Sequence, residues 1–193
     1  MQGRATAWAT ALPTGDEIVV RHSRHGGLLA PITGDLFFAP TRAPHELAAA
    51  LRLSAVGVTT PEVVAYAIYP AFGPLVRADV ATRLLRGAAL PVAWRAAATE
   101  DSRWVLVEAI ARLLESLQRA GVTHPDLNVR NVLVTDGGVA AVLDVDRVTF
   151  GAGSGGANVR RLLRSMRKQR VGYGADLTSK QVARLRAADG AAS

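Results

Sequence analysis

Apolar positions in this chain follow a strand-like rhythm first and a helical one later. From Thr6 to Leu12 they alternate loosely until Pro13-Thr14-Gly15-Asp16 breaks the run with turn-forming residues. Glu17–Ser23 (EIVVRHS) resumes the alternation, so the two runs predict a hairpin. Gly26-Gly27 marks a second turn, and Leu36–Ala39 suits a short strand. Pro44 opens a predicted helix with Thr41 as its capping candidate, Leu47 and Leu51 along it, and Gly57 as its stop. Val63–Tyr69 and Leu75–Thr82 read as two more strands, separated by a turn from Pro70 to Pro74.

Beyond Thr82 the period lengthens. Arg83–Ala98 reads as a loose, mostly helical connection broken by Pro91. Asp101 or Ser102 is placed to cap a strong helix, in which Val105, Leu106, Ile110, Leu113, Leu114 and Leu117 recur at helical spacing. Gly121 supplies its stop. Val132–Val134 and Ala140–Leu143 are short apolar runs around Asp136-Gly137-Gly138, a hairpin signal. A Gly-rich loop at Gly151–Gly156 precedes the basic amphipathic helix Asn158–Arg170, with Val159, Leu162, Leu163 and Met166 on one stripe. The tail from Asp176 reads as helical, and there is no internal repeat.

Composition narrows the class. At 193 residues, 49% hydrophobic and 20% charged, the chain suits one globular domain, in one piece or in two small lobes. No apolar run reaches the roughly 18 residues that span a bilayer, and the N-terminus lacks a secretory layout, which predicts a cytoplasmic protein. The absence of Cys excludes disulfides and thiolate metal sites. A net charge of +7 suits an anionic partner, whether nucleotide, lipid, phosphosugar or nucleic acid, and equally serves solubility alone. No helix-turn-helix, zinc module or aromatic stacking platform accompanies the charge, so nucleic acid is not expected. A monomer is the default state.

One stretch concentrates polar groups among valines and leucines: GVTHPDLNVRNVLVTDGGVAAVLDVDR. Between the glycine stop and the end of the predicted hairpin it holds His124, Asp126, Asn128, Asn131, Asp144 and Asp146. Asn131 follows Asp126 by five positions and Asp144 follows it by eighteen. Phosphoryl transfer needs such a set: one carboxylate to orient the attacking hydroxyl and take its proton, and a second carboxylate and an amide oxygen to hold magnesium. Magnesium retains several waters, so two protein ligands suffice when phosphate oxygens complete its shell. Taken singly, Asp126 and Asn131 read equally well as turn residues.

The motif HPDLNVRN…LDVD resembles the H-x-D-x-x-x-x-N…D signature of the protein-kinase-like superfamily. Its form, with VVRHSRHGGL, TRAPHELAAALRL, LVRADVATRL and NVRRLLRSMRK around it, resembles the lipopolysaccharide kinase family, including the 3-deoxy-D-manno-octulosonic acid (Kdo) kinases. The resemblance covers nearly the whole chain. It implies an α+β, protein-kinase-like two-lobed fold. Residues 1–83 would form a small antiparallel N-lobe sheet with one helix, and residues 84–193 a reduced, mainly helical C-lobe. Mg-ATP would bind between the lobes, with adenine near Arg83–Leu85.

The resemblance also implies roles. Asp126 is the catalytic carboxylate, and Asn131 and Asp144 are the Mg²⁺ ligands. Arg21 replaces the usual third-strand lysine, Glu46 pairs with it, and Gly3 and Arg4 belong to the turn over the ATP phosphates. Glu46 read alone is equally an ordinary solvated charge. His124 is expected to brace the loop. Asn128 either meets substrate or supports the loop, and Asp146 is either a further metal ligand or a cap. The implied reaction moves the γ-phosphoryl group of ATP to a hydroxyl of Kdo on a lipid A precursor, an anionic glycolipid. The enzyme would then sit peripherally at the cytoplasmic face of the inner membrane, where the basic helix Arg160–Arg170 offers a contact, unless that face is merely solvated. Two other readings stay open. An aminoglycoside-type phosphotransferase would need an acidic acceptor pocket. A pseudokinase that binds without turnover would suit the Arg at position 21 and the short start.

Overall fold

The computed structural model describes residues 7–24, 34–151, 153–173, 176–188 and 190. The predicted Gly26-Gly27 turn lies outside them. The chain forms two compact units, Met1–Leu51 with Pro61–Leu84, and Arg52–Thr60 with Leu85–Ser193.

The first unit is an antiparallel sheet. Strands β1 (Ala7–Ala11) and β2 (Glu17–His22) form the predicted hairpin, paired from Ala7↔Arg21 to Ala11↔Glu17. Gly15, at φ 87°, makes the turn between them. At the centre is β5 (Leu75–Arg83): β2 takes its later half and the two-residue β3 (Phe37–Phe38) its start. Strand β4 (Val63–Phe72) pairs along the other edge of β5. It runs through Pro70 to Phe72, so the connecting turn is shorter than the sequence suggests, with Gly73 at φ 54°.

Helix α1 (Ala43–Ala55) follows β3 and ends before Gly57, which adopts φ 76°. Its buried face carries Ala43, Glu46, Ala49, Ala50 and Leu53 at helical spacing. Thr41 does not cap it, because its buried hydroxyl makes no hydrogen bond. The Arg42 carbonyl instead accepts the first helical bond, from Glu46 N at 2.9 Å.

On β2, His22 is clamped between carboxylates. Its Nδ1 lies 2.5 Å from Asp79 Oδ1, and its Nε2 lies 2.8 Å from Asp35 Oδ2. Arg77 Nε donates to the same Asp35 oxygen at 2.8 Å, and the Tyr69 hydroxyl donates to Asp79 Oδ2 at 3.2 Å. Two carboxylate neighbours favour the doubly protonated ring. The hydrogen bond with Asp35 raises the His22 pKa, partial burial opposes that, and Asp79 adds to it; Asp35 is lowered in turn, chiefly by His22.

The second unit is built on α3 (Glu100–Arg119). Its cap lies slightly earlier than the spacing suggests: Thr99 Oγ1 accepts from Ser102 N, and Ser102 Oγ accepts from Thr99 N, both at 3.1 Å. Ser102 thus closes a capping box from the third helical position rather than serving as the cap. Leu106, Ile110, Leu113, Leu114 and Leu117 are buried, whereas Val105, read as part of that stripe, is 59% exposed. The connection before α3 contains a strand that periodicity misses, β6 (Gly87–Ala89), which leads into α2 (Leu90–Ala96). Pro91 opens α2 instead of breaking it, since the first turn needs no donor from that residue.

Strands β8 (Val132–Thr135) and β9 (Ala140–Val142) form the predicted hairpin, and β6 adds to β8. A further pair, β7 (Val122–Thr123) with β10 (Thr149–Phe150), closes the segment that holds the polar cluster. Helix α4 (Ala157–Tyr173) buries Val159, Leu162, Leu163 and Met166, as its stripe predicts. Helix α5 (Ser179–Ala188) is tied to α3 by Arg184, which donates to both oxygens of Glu108 at 2.9 and 3.0 Å.

Gly121 ends α3 at φ 65°, and its carbonyl accepts from Gly151 N at 2.8 Å. A Cβ there would sit 2.1 Å from Gly151 O. Gly121→Ala therefore meets backbone strain and a backbone clash together, and denaturant unfolding should show a loss of roughly 2 kcal/mol or more. The His22 cluster gives stability a pH dependence of determined sign. A raised folded-state pKa means that the stabilisation is complete below the ordinary value of 6.5 and fades as pH rises through the folded-state value. Melting wild type and His22→Gln from about pH 5 to about pH 8 should show the gap between them narrowing toward alkaline pH.

Candidate active site

The polar segment leaves α3 at Gly121, runs through β7, and turns at His124-Pro125-Asp126. His124 is 1% exposed and holds this turn from within. Asp126 N donates to its Nδ1 at 3.2 Å, which puts the ring proton on Nε2, where it reaches Leu143 O at 3.0 Å. One imidazole thus joins the backbone of Asp126 to the residue immediately before Asp144. The predicted bracing role is the one the geometry gives it.

The Asp126 carbonyl is gripped as well. It accepts from Asn128 Nδ2 at 3.0 Å and from Asn131 Nδ2 at 2.9 Å. Asn128 Oδ1 accepts from Arg130 N at 2.9 Å and starts the 3₁₀ turn Val129–Asn131. Of its two open roles, support of the loop is therefore the observed one. Asn131 is buried, and its own carbonyl accepts from Leu143 N at 2.9 Å. The backbones of Asp126, Asn131 and Leu143–Asp144 are thus stitched together directly and through His124. The Asp126 and Asp144 side chains remain exposed.

Asp144 has a left-handed backbone, φ 54° and ψ 55°, the one non-glycine with positive φ among the described residues. Such a conformation in a residue with a Cβ costs energy and often marks a functional position. It turns the chain sharply out of β9 into the 3₁₀ turn Val145–Arg147, which contains Asp146.

The residue types here could hold a hard cation. Asn131 uses its Nδ2 on the loop, which leaves its amide oxygen as the atom with lone pairs to offer, and Asp144 could add a carboxylate oxygen. Among the described residues no group of three His, Cys, Asp or Glu side chains is arranged for a metal. An ion here would rest on one carboxylate and one amide, with water and bound phosphate supplying the rest, as magnesium prefers.

Two supporting residues escape the sequence reading. Asn158 is fully buried at the start of α4; its Oδ1 accepts from His124 N at 3.0 Å and its Nδ2 donates to Val122 O at 2.9 Å. Ser165, two turns later on α4, accepts from Val129 N at 3.2 Å. The available signal was a polar Asn four residues before Leu162, on the apolar face of the helix.

In the first unit Arg21 Nη2 donates to Glu46 Oε1 at 2.5 Å. The Glu46 side chain is 8% exposed, which removes the solvated reading of this residue. Arg21 keeps a third of its side chain in contact with solvent. Gly3 and Arg4 lie outside the described residues.

The sequence profile of the lipopolysaccharide kinase (Kdo/WaaP) family matches residues 1–188. A 3-deoxy-D-manno-octulosonic acid kinase of Stenotrophomonas maltophilia (strain K279a) is 31% identical over 195 residues, covering 96% of this chain and 76% of the relative. One of Xylella fastidiosa (strain 9a5c) is 29% identical over 193 residues with the same coverage, and one of Vibrio vulnificus (strain YJ016) is 30% identical over 176 residues, 88% of this chain and 72% of the relative. Among solved structures, WaaP in complex with acyl carrier protein aligns with a TM-score of 0.65 at 20% identity, over 100% of this chain and 80% of that one, so the two share a fold. With a family profile matched over nearly its whole length, the chain belongs to the lipopolysaccharide kinase (Kdo/WaaP) family.

Proposed function

We infer that the protein transfers the γ-phosphoryl group of ATP to a hydroxyl of Kdo on a lipid A precursor, a step of lipopolysaccharide core assembly. The observation that carries this reading is the stitched loop: Asp126 stands exposed on a backbone held by His124, Asn128 and Asn131, in a chain whose relatives of about 30% identity are Kdo kinases.

Each residue has a task in that reaction. Asp126 accepts a hydrogen bond from the acceptor hydroxyl, aligns its lone pair on the γ-phosphorus, and takes the proton as the new O–P bond forms and the bond to the ADP oxygen breaks. Asn131 and Asp144 would hold Mg²⁺, which when bound neutralises charge on the phosphate oxygens. Arg21, steadied by Glu46, offers a planar cation that is always charged and suits two phosphate oxygens at once. Gly3 and Arg4 remain assigned to the phosphate-covering turn.

The acceptor is a lipid, so the enzyme works at the cytoplasmic face of the inner membrane as a peripheral protein. No helix among the described residues is long and apolar enough to cross a membrane. The exposed face of α4 carries Arg160, Arg164, Arg167 and Lys168, which suits an anionic surface.

Asp126→Asn removes the proton acceptor and keeps the shape. Its turnover should fall by roughly 10²–10⁴-fold while its unfolding midpoint stays at the wild-type value. The substrate is tested by incubating the purified protein with labelled ATP, magnesium and Kdo-bearing lipid. Labelled glycolipid is expected; ATP binding without label on any Kdo-bearing acceptor would overturn the assignment.

A further inference from the structure

The second unit holds a cavity of about 460 Å³ that is lined by none of the candidate active-site residues. Helix α3 contributes Leu113 to it and, two turns apart on one face, Arg112 and Arg119. The β8–β9 hairpin contributes its Gly137-Gly138 turn together with Val139 and Ala140. Gly57, just past the end of α1, also lines it. Leu113 and Ala140 are buried and Val139 is half exposed, so the floor is apolar. The hairpin meets this cavity at its turn, whereas Asn131 and Asp144 flank its open end, so the cavity is separate from the place assigned to the cation.

The charge of this cavity is unanswered. The Arg112 and Arg119 side chains make no hydrogen bond or ion pair with another described residue. Arg112 feels Glu108, but both oxygens of that carboxylate already accept from Arg184 of α5. Glu115, the one carboxylate among the lining residues, is engaged in the same way: its Oε1 lies 3.0 Å from Arg184 Nη1. Two guanidiniums therefore stand beside an apolar floor, and an anionic ligand complements both. Their spacing selects its shape. Seven residues along a helix separate their backbones by about 10.5 Å, whereas a single phosphate binds best where cations converge. A chain in the polyproline II conformation repeats its face every three residues, about 9.3 Å. Acidic residues at i and i+3 of such a chain match the two arginines, and the residues between them turn toward the apolar floor. The rim leaves room for it, because a Cβ at Gly57 or Gly138 would meet nothing within 4 Å. The Gly137 N–H has no hydrogen bond to a described residue, which suits a chain whose own carbonyls find no internal donor.

We propose that this cavity docks an extended acidic segment of a partner protein. Two carboxylates three residues apart bind Arg112 and Arg119, and an apolar residue between them packs on Leu113, Val139 and Ala140. The site is additional to the one that performs phosphoryl transfer, and it does not depend on the identity of the acceptor sugar.

The test uses the full-length protein and a fluorescent, proline-rich peptide of about ten residues that carries Glu at two positions three apart. Anisotropy should show saturable binding that weakens as salt is raised. Arg112→Ala and Arg119→Ala should each raise the dissociation constant by about tenfold. Arg164→Ala removes an exposed cation of α4 outside the cavity and should bind as the wild type does. Gly137→Trp should abolish binding by filling the cavity. Its backbone is not left-handed, and an added Cβ meets only Thr135 Oγ1 at 3.8 Å, so its melting should match the wild type. A peptide that does not saturate overturns the proposal. So does equal binding of the same peptide with Lys in place of both Glu, or binding that survives in both arginine variants. Displacement of the peptide by inorganic pyrophosphate at equal concentration would assign the cavity to a small anion and overturn it as well.

Discussion

A single buried imidazole sets the geometry on which the candidate active site depends. His124 is reached from three directions: its backbone N–H is held by Asn158, its Nδ1 accepts from Asp126 N, and its Nε2 reaches Leu143 O. The ring itself is buried, where an unmade partner is costly, so these bonds favour ordering the three segments together. The consequence is a division of labour. Buried amides and one ring fix the backbone, and Asp126 and Asp144 stay exposed. Rigid support under exposed acidic groups is what positioning of a hydroxyl and a cation requires.

The same economy appears in the first unit. Arg21 and His22 are neighbours on β2 and therefore point to opposite faces of the sheet. Each meets carboxylates there: Arg21 pairs with Glu46, and His22 is clamped by Asp35 and Asp79. The sheet thus holds one cation that retains access to solvent beside one enclosed by anions. Adjacent side chains of like charge serve separate purposes without sharing a partner among these bonds.

Much of this was legible before coordinates. The hairpins Ala7–His22 and Val132–Val142, helix α3 and the stripe of α4 follow from alternation, helical period and turn residues, all local signals. What escaped was non-local. Strand β6 is three residues, Gly-Ala-Ala, with no pattern of its own, and it exists because β8 pairs with it. Strands β7 and β10 owe their existence to each other in the same way. Thr41 looked like a cap because it precedes Pro44, yet the chain enters α1 through Arg42. In the active segment the spacing of Asp126, Asn131 and Asp144 was visible, whereas the work of Asn158 was not, since its partners lie more than thirty residues away.

The left-handed turn at Asp144 constrains how this chain can change. Only residues that tolerate that backbone can stand there cheaply, which in practice means Gly, Asn or Asp. Asn and Gly are each one nucleotide substitution from Asp in the genetic code. A lineage can therefore lose the carboxylate proposed to hold the cation in a single mutation while the backbone turn around it is kept. The catalytic and the merely binding versions of this domain are evolutionary next-door neighbours, and the conformation at one residue is what keeps the door open.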